Sequence, residues 1–347
     1  MTDRQWEILK KAINGEKLDP LPLGFIIDSP WLPNWYGIRI LDYFSSDAFW
    51  LDANLKALQE FPDVMFLPGF WSEFGMCTEP SAFGVRCSFP PDEFPHAYKI
   101  IQSNDDIDAL AAPNPKTDGL LPFVLNRLKL ATPDIEAAGH RIRFAVARGP
   151  LNIATYLMGT TEFLTLIMIE PEKAHILLQK ITAFLKDWLG LQMETFPSID
   201  GIFLLDDIIG FIGETEFRAF GLPYFKKLYD FNVTVKFLHN DAACRVSAPF
   251  LPEMGVNLFN MGFDIPLKEL KQLTDNRVTL LGNIPPRDIL AGGTPGDVER
   301  VTQALLDSLD DKSRLIFSCG GGMPPGVSTE NIEAFIRTVL QGSADKR

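Results

Sequence analysis

The hexapeptide HNDAAC, residues 239–244, follows the apolar run VTVKFL and places His239, Asp241 and Cys244 within six residues. Residues i and i+2 of a strand share a face, so His239 and Asp241 can point into one cavity and act on one ion or one proton. An imidazole with carboxylates suits Zn²⁺ or a similar divalent ion with a position left open for a substrate oxygen. Such an ion acts as a Lewis acid on a leaving group. The alternative is a neutral His239 hydrogen-bonded to a carboxylate. Asp206 and Asp207 end the preceding apolar run, IFLL. Adjacent strand residues face opposite ways, so one of the two can reach the cavity while the other caps the next segment. His239, Asp241, Asp206 and Asp207 are therefore the candidate catalytic residues. His96, in a Pro-rich stretch, His140 and His175 do not end apolar runs.

These residues need elements that bring strand ends together. Eight short runs rich in β-branched or aromatic residues span 24–27, 64–67, 142–147, 202–205, 233–238, 256–260, 278–282 and 314–318. Helix-period segments lie between most of them, including 47–60, 172–188, 214–230 and 296–310. This alternation predicts an α/β fold, a (β/α)8 TIM barrel, formed as one domain over 1–347 with an N-terminal helical extension. An open doubly wound sheet is the competitor, and no G-x-G-x-x-G or G-x-x-x-x-G-K-[ST] follows the first run to support it. The stretch 70–140 is too long for a plain connection and is expected to fold over the mouth as an inserted loop region. Barrel chemistry sits at the C-terminal strand ends, which here carry Asp28, Trp71, Glu73, Arg148, Asp206, Asp207, His239, Asp241, Asn260, Asn283 and Cys319. Of these, Trp71, Glu73, Arg148, Asn260 and Asn283 are candidate substrate contacts, joined by Trp31, Trp35 and Tyr36 after the first run.

The 347 residues are 46% hydrophobic with a formal net charge of −13. A core of good size is expected, and the negative charge argues against nucleic acid or an anionic membrane as partner. The four cysteines form no C-x-x-C pair, which fits free thiols in a cytoplasmic setting. No run of about 18 apolar residues is present to cross a membrane.

Several segments, in order along nearly the whole chain, resemble the uroporphyrinogen decarboxylase superfamily, which includes cobalamin-dependent methyltransferases. They are INGEKLDPLPLGF near the start, EPSAFG at 79–84, the segment from RGPLNIATYLMG at 148 to 178, and FRAFGLPYFKKL at 217–228. FLHNDA at 237–242, EMGVNLFNM at 253–261, LLGNIPPRDILAGG within 280–306 and SCGGGMPPG within 318–335 complete the set. The resemblance implies a (β/α)8 barrel. The decarboxylases carry an arginine-rich segment after the first strand, for substrate carboxylates; here that region is DSPWLPNWYGIRI, with Arg39 alone. Thiol-activating methyltransferases hold zinc through H-x-C near the fifth strand and a cysteine in a GCG segment after the last. This chain has His239-Asn240-Asp241 in the first motif, and in the second Gly321 stands at the cysteine position with Cys319 two residues before it.

The expected function is transfer of a methyl group between a small methylated substrate, a methyl ether (O-demethylase chemistry) or a methylamine, and a corrinoid. The chain lacks a D-x-H-x-x-G corrinoid anchor, so the corrinoid is expected on a partner protein docked over the mouth. His239, Asp241 and Cys319 are the expected ligands of a zinc-like ion. The alternatives are uroporphyrinogen decarboxylation and a non-catalytic barrel that binds a tetrapyrrole or corrinoid.

Overall fold

The computed structural model describes residues 1–27 and 30–344. The candidate Asp28 lies outside the described residues. The strands are β1 (Leu23–Ile26), β2 (Val64–Leu67), β3 (Cys87–Ser88), β4 (His96–Ala97), β5 (Phe144–Arg148), β6 (Gly201–Leu205), β7 (Val235–Asn240), β8 (Leu258–Met261), β9 (Thr279–Ile284) and β10 (Leu315–Cys319). All eight expected runs are strands, within a few residues at each end. They pair in parallel in the order β2-β1-β10-β9-β8-β7-β6-β5, curling into a TIM-barrel-like fold with helices outside. β3 and β4 form a separate antiparallel hairpin.

The curl leaves a seam, because among the described residues no ladder joins β2 to β5. An unpaired strand edge exposes N–H and C=O groups that must find partners. At the seam Gln192, on the helix Pro171–Thr195, supplies them: its Oε1 accepts from Val146 N at 2.9 Å and its Nε2 donates to Val146 O at 3.0 Å. One amide side chain thus replaces a peptide of the missing neighbour.

Alternation along the strands divides the core in two. Inward residues, among them Phe144, Phe203, Phe237, Leu258, Leu281 and Ile316, fill the barrel floor, with Phe203 and Phe237 stacked at 4.2 Å. The N-terminal helix Asp3–Ile13, started by a Thr2/Gln5 capping box, closes the barrel from below through Trp6, Leu9, Ala12 and Ile13. Trp6 meets Phe144 edge-on at 5.5 Å, which confirms the N-terminal extension and shows what it does. Outward residues such as Phe25, Phe66, Leu204, Phe259 and Phe317 join the helices in the larger outer core.

The stretch 70–140 is not a plain loop. It holds the β3–β4 hairpin, the helix Asn104–Ala109 and the helix Leu121–Ala137. The last of these buries Leu121, Val124, Leu125, Leu128, Ala131 and Ile135, a helical stripe that packs in the outer core. Ile100 N and Ile101 N both donate to Leu157 O, fastening the hairpin region to the helix Pro150–Met158 that follows β5.

Candidate functional site

With the floor apolar, polar side chains begin at the level of His239. β7 places His239 inward and β8 places Asn260 beside it, in register. His239 Nδ1 and Asn260 Oδ1 are 2.7 Å apart, and the Asn260 amide nitrogen donates to Leu281 O at 2.7 Å and Cys319 O at 3.4 Å. With its nitrogen held by two carbonyls, Asn260 must present oxygen to the ring. The network therefore assigns the proton to His239 Nδ1 and leaves the Nε2 lone pair facing the mouth.

Nε2 faces Asp207 Oδ1 at 3.9 Å. That oxygen also accepts from Asp241 N at 3.0 Å, so β7 and the segment after β6 fix each other. Ligand atoms of Asp207, His239 and Asp241 all lie within 4.8 Å of one another. His239 is buried, Asp207 half-buried and Asp241 exposed, so the group opens to solvent on the Asp241 side. Burial, and then the Asp241 carboxylate beside it, push Asp207 above the ordinary carboxylate range, while His239 pulls it down. The donors suit a divalent cation: one available imidazole nitrogen and two crowded carboxylates. The 3.9 Å separation is too long for a hydrogen bond, but it is within the reach of one ion bound to both atoms at roughly 2.1 Å each.

Cys319, expected as the third ligand, is elsewhere. It is buried in the outer core, and its thiol donates to Gly321 O at 3.5 Å. Strand parity explains the difference, since Ser318 pairs with Asn283 and Cys319 is turned outward by one residue. Asp207 occupies the third place instead. Gly321, at the cysteine position of the methyltransferase pattern, does adjoin the cluster: at φ +80°, a Cβ there would sit 3.1 Å from Asp241 Oδ2. Cys244 is buried with its thiol pushed up to about 12, mainly by burial, and is not part of the group.

Asp206 is also not in the cavity. It turns outward, where Oδ2 accepts from Leu151 N at 2.9 Å and Asn152 N at 3.2 Å, and Oδ1 accepts from Ile208 N at 3.2 Å. It satisfies free donors at the start of the helix Pro150–Met158. Gly149 is required beside it, because a Cβ there would collide with the carboxylate. Burial pushes Asp206 up to about 8 against the pull of these donors.

The remaining candidates are structural in their contacts. Arg148 ends β5 at the seam, buried between Glu73 (2.7 Å) and Glu79 (3.3 Å), and Glu79 also accepts the Arg148 backbone N–H. Trp71 packs on Phe203 at 5.8 Å. Asn283 donates to Gly262 O and Ile265 O, both at 3.2 Å, holding the segment after β8. Trp31, on the helix Trp31–Tyr36, is fully buried outside the barrel, stacks on Trp35 at 5.3 Å and donates to Val327 O. Trp35 donates to Thr329 Oγ1, and Lys56 lies over both Trp35 and Tyr36. These three rings therefore fasten the outer layer and do not line the mouth.

Tyr156, on the helix Pro150–Met158, was not among the sequence candidates. Burial pushes its phenol up to about 12, with the charges of Arg148 and Asp207 both acting on it. It lies eight residues past Arg148, within a mostly apolar helix and away from any strand end, so strand-end reading passes over it.

The model of the family described as "Uroporphyrinogen decarboxylase (URO-D)" matches residues 8–341. The chain belongs to the uroporphyrinogen decarboxylase family. Its relatives include the uroporphyrinogen decarboxylase of Chloroherpeton thalassium, 26% identical over 76% of each chain. That of Alcanivorax borkumensis is 22% identical over 95% of this chain and 96% of its own. Among solved structures, a methyltransferase from Methanosarcina mazei superposes with TM-score 0.79 at 17% identity, over 96% of this chain and 97% of its own. A B12-independent methionine synthase from a Shewanella species gives 0.57 at 12% identity, over 94% and 97%. The structural likenesses establish the fold. This chain has the TIM-barrel-like fold and carries one histidine and two aspartates close together at its strand ends.

Proposed function

We propose that this chain is a metal-assisted methyltransferase that moves a methyl group between a small methylated substrate, a methyl ether or methylamine, and a corrinoid carried by a partner protein. The observation that carries the reading is the Asp207–His239–Asp241 group at the strand ends, whose ligand atoms all lie within 4.8 Å of one another. These residues would hold a divalent ion of the Zn²⁺, Mn²⁺ or Fe²⁺ kind, which would supply Lewis acidity at the leaving atom. Asn260 fixes the His239 tautomer so that Nε2 is available. Tyr156 keeps its proton through neutral pH and can donate a hydrogen bond to the leaving oxygen or nitrogen. Phe211 and Phe263, 64% and 53% exposed, lie just past β6 and β8 on either side of β7. Exposed aromatic side chains on a rim suit a docked partner.

Decarboxylation is the second reading, favoured by the names of the sequence relatives. A substrate bearing several carboxylates needs cationic donors, because buried unpaired carboxylates are costly. Arg148 is already paired with two glutamates, and Arg39 pairs with Asp42 on an exposed helix outside the barrel. The test is to mix the protein with a reduced corrinoid protein and a panel of methyl ethers and methylamines, following conversion of cob(I)alamin to methylcobalamin by absorbance. Conversion that disappears in His239→Ala supports methyl transfer. Ordinary turnover of uroporphyrinogen, with no conversion on any methylated substrate, would replace it with decarboxylation.

A further inference from the structure

The helix Leu121–Ala137 is apolar on two faces. One face, with Val124, Leu128 and Ile135, is buried in the outer core. The opposite face carries Phe123, Asn126, Leu130, Pro133 and Ala137, and all five are exposed, Phe123 by 60% and Leu130 by 64%. Single exposed apolar residues are ordinary, but a helix that is apolar all round belongs inside a packed assembly. The spacing of the outer five, alternately three and four residues, is that of the seam between two coiled helices. Lys129 and Glu136 stand one heptad apart along one edge of this seam. Both are exposed, and neither has an ion-pair partner among the described residues.

We propose that this face is where two copies of the chain meet, with the two helices packed antiparallel about a two-fold axis that passes between Ala131 and Thr132. In that register Leu130 meets the partner's Pro133, Asn126 meets the partner's Ala137, and Lys129 reaches the partner's Glu136. The two-fold repeats every contact, so one face supplies both the apolar seam and both members of the charge pair. That self-complementarity is what identifies a second copy as the occupant. A register centred half a heptad earlier would set Lys129 against the partner's Lys129, and like charges disfavour it. Antiparallel packing also opposes the two helix dipoles, the favourable arrangement.

A single pair of helices covers less area than the ~1,200 Å² at which specific interfaces begin, so a weak dimer is expected, forming at micromolar protein. None of these residues belongs to the Asp207–His239–Asp241 group, so the inference stands whether or not methyl transfer does.

Sedimentation velocity on the full chain over a wide concentration range tests it, and the expected result is a monomer–dimer equilibrium. Leu130→Glu should abolish the dimer and leave the circular dichroism of the monomer unchanged, because the position is exposed and glutamate is a good helix former. Lys129→Glu, which sets like charges against Glu136 at both symmetry-related contacts, should weaken the dimer roughly 10-fold. Lys129→Glu combined with Glu136→Lys should restore it, because the pair is then remade with its signs exchanged. A monomer at every concentration, a dimer that survives Leu130→Glu, or a double variant no stronger than Lys129→Glu alone would overturn the proposal.

Discussion

The Asn260 side chain sets which nitrogen of His239 is free. Their Nδ1···Oδ1 contact of 2.7 Å is itself directed by two backbone carbonyls, Leu281 O and Cys319 O, on the other side of the amide. Replacing Asn260 with leucine keeps the volume but removes the acceptor. Divalent-ion affinity is expected to fall roughly 10–100-fold, as for other partners that orient a ligating histidine. Isothermal titration with Zn²⁺ or Mn²⁺ checks this, and unchanged affinity would remove Asn260 from the account.

Arg148 and its two glutamates make a different prediction. All three are buried, so deleting the cation leaves two uncompensated carboxylates in the core. Arg148→Leu should lower unfolding stability by about 3–5 kcal/mol. Arg148→Leu combined with Glu73→Gln and Glu79→Gln should recover part of that loss. Urea unfolding of the two variants measures the difference, and a neutral Arg148→Leu would show that the seam does not depend on the pair.

Asp206 predicts a pH dependence. Burial raises its folded-state value from 3.8 to about 8, so the folded chain keeps a proton that the unfolded chain releases. The stability it contributes is full below about pH 4 and is lost as pH rises through about 8. Asp206→Asn cannot ionise and should flatten this part of the stability profile. Parallel pH profiles for wild type and variant would rule the assignment out by showing the same slope between those limits.

The strands were legible because both faces of a parallel barrel are buried, leaving continuous apolar runs. The sides of those strands were less legible. Cys319 sits one residue from the inward Ser318, and only register decides which of them enters the cavity. The tryptophans at 31 and 35 read as mouth aromatics from their place after β1, yet the helix they lie on faces the outer core. His239 and Asp241 were readable together because their i, i+2 spacing does not depend on tertiary detail. Asp207 was visible as a carboxylate, but its partnership with Asp241 N comes from a contact between segments 34 residues apart. The helix Leu121–Ala137 was hidden inside a Pro-rich stretch and carries Pro133 in its own interior.

Asp207, His239 and Asp241 are expected to bind one divalent ion through oxygen and nitrogen, without Cys319. Loading metal-free protein with Co²⁺ and recording its electronic spectrum tests this most directly, since a cobalt–thiolate bond adds an intense charge-transfer band. The expected result is one tightly bound equivalent without that band, unchanged in Cys319→Ser and lost in Asp207→Ala, His239→Ala and Asp241→Ala. A thiolate band that vanishes in Cys319→Ser, or binding that survives all three ligand variants, would contradict it.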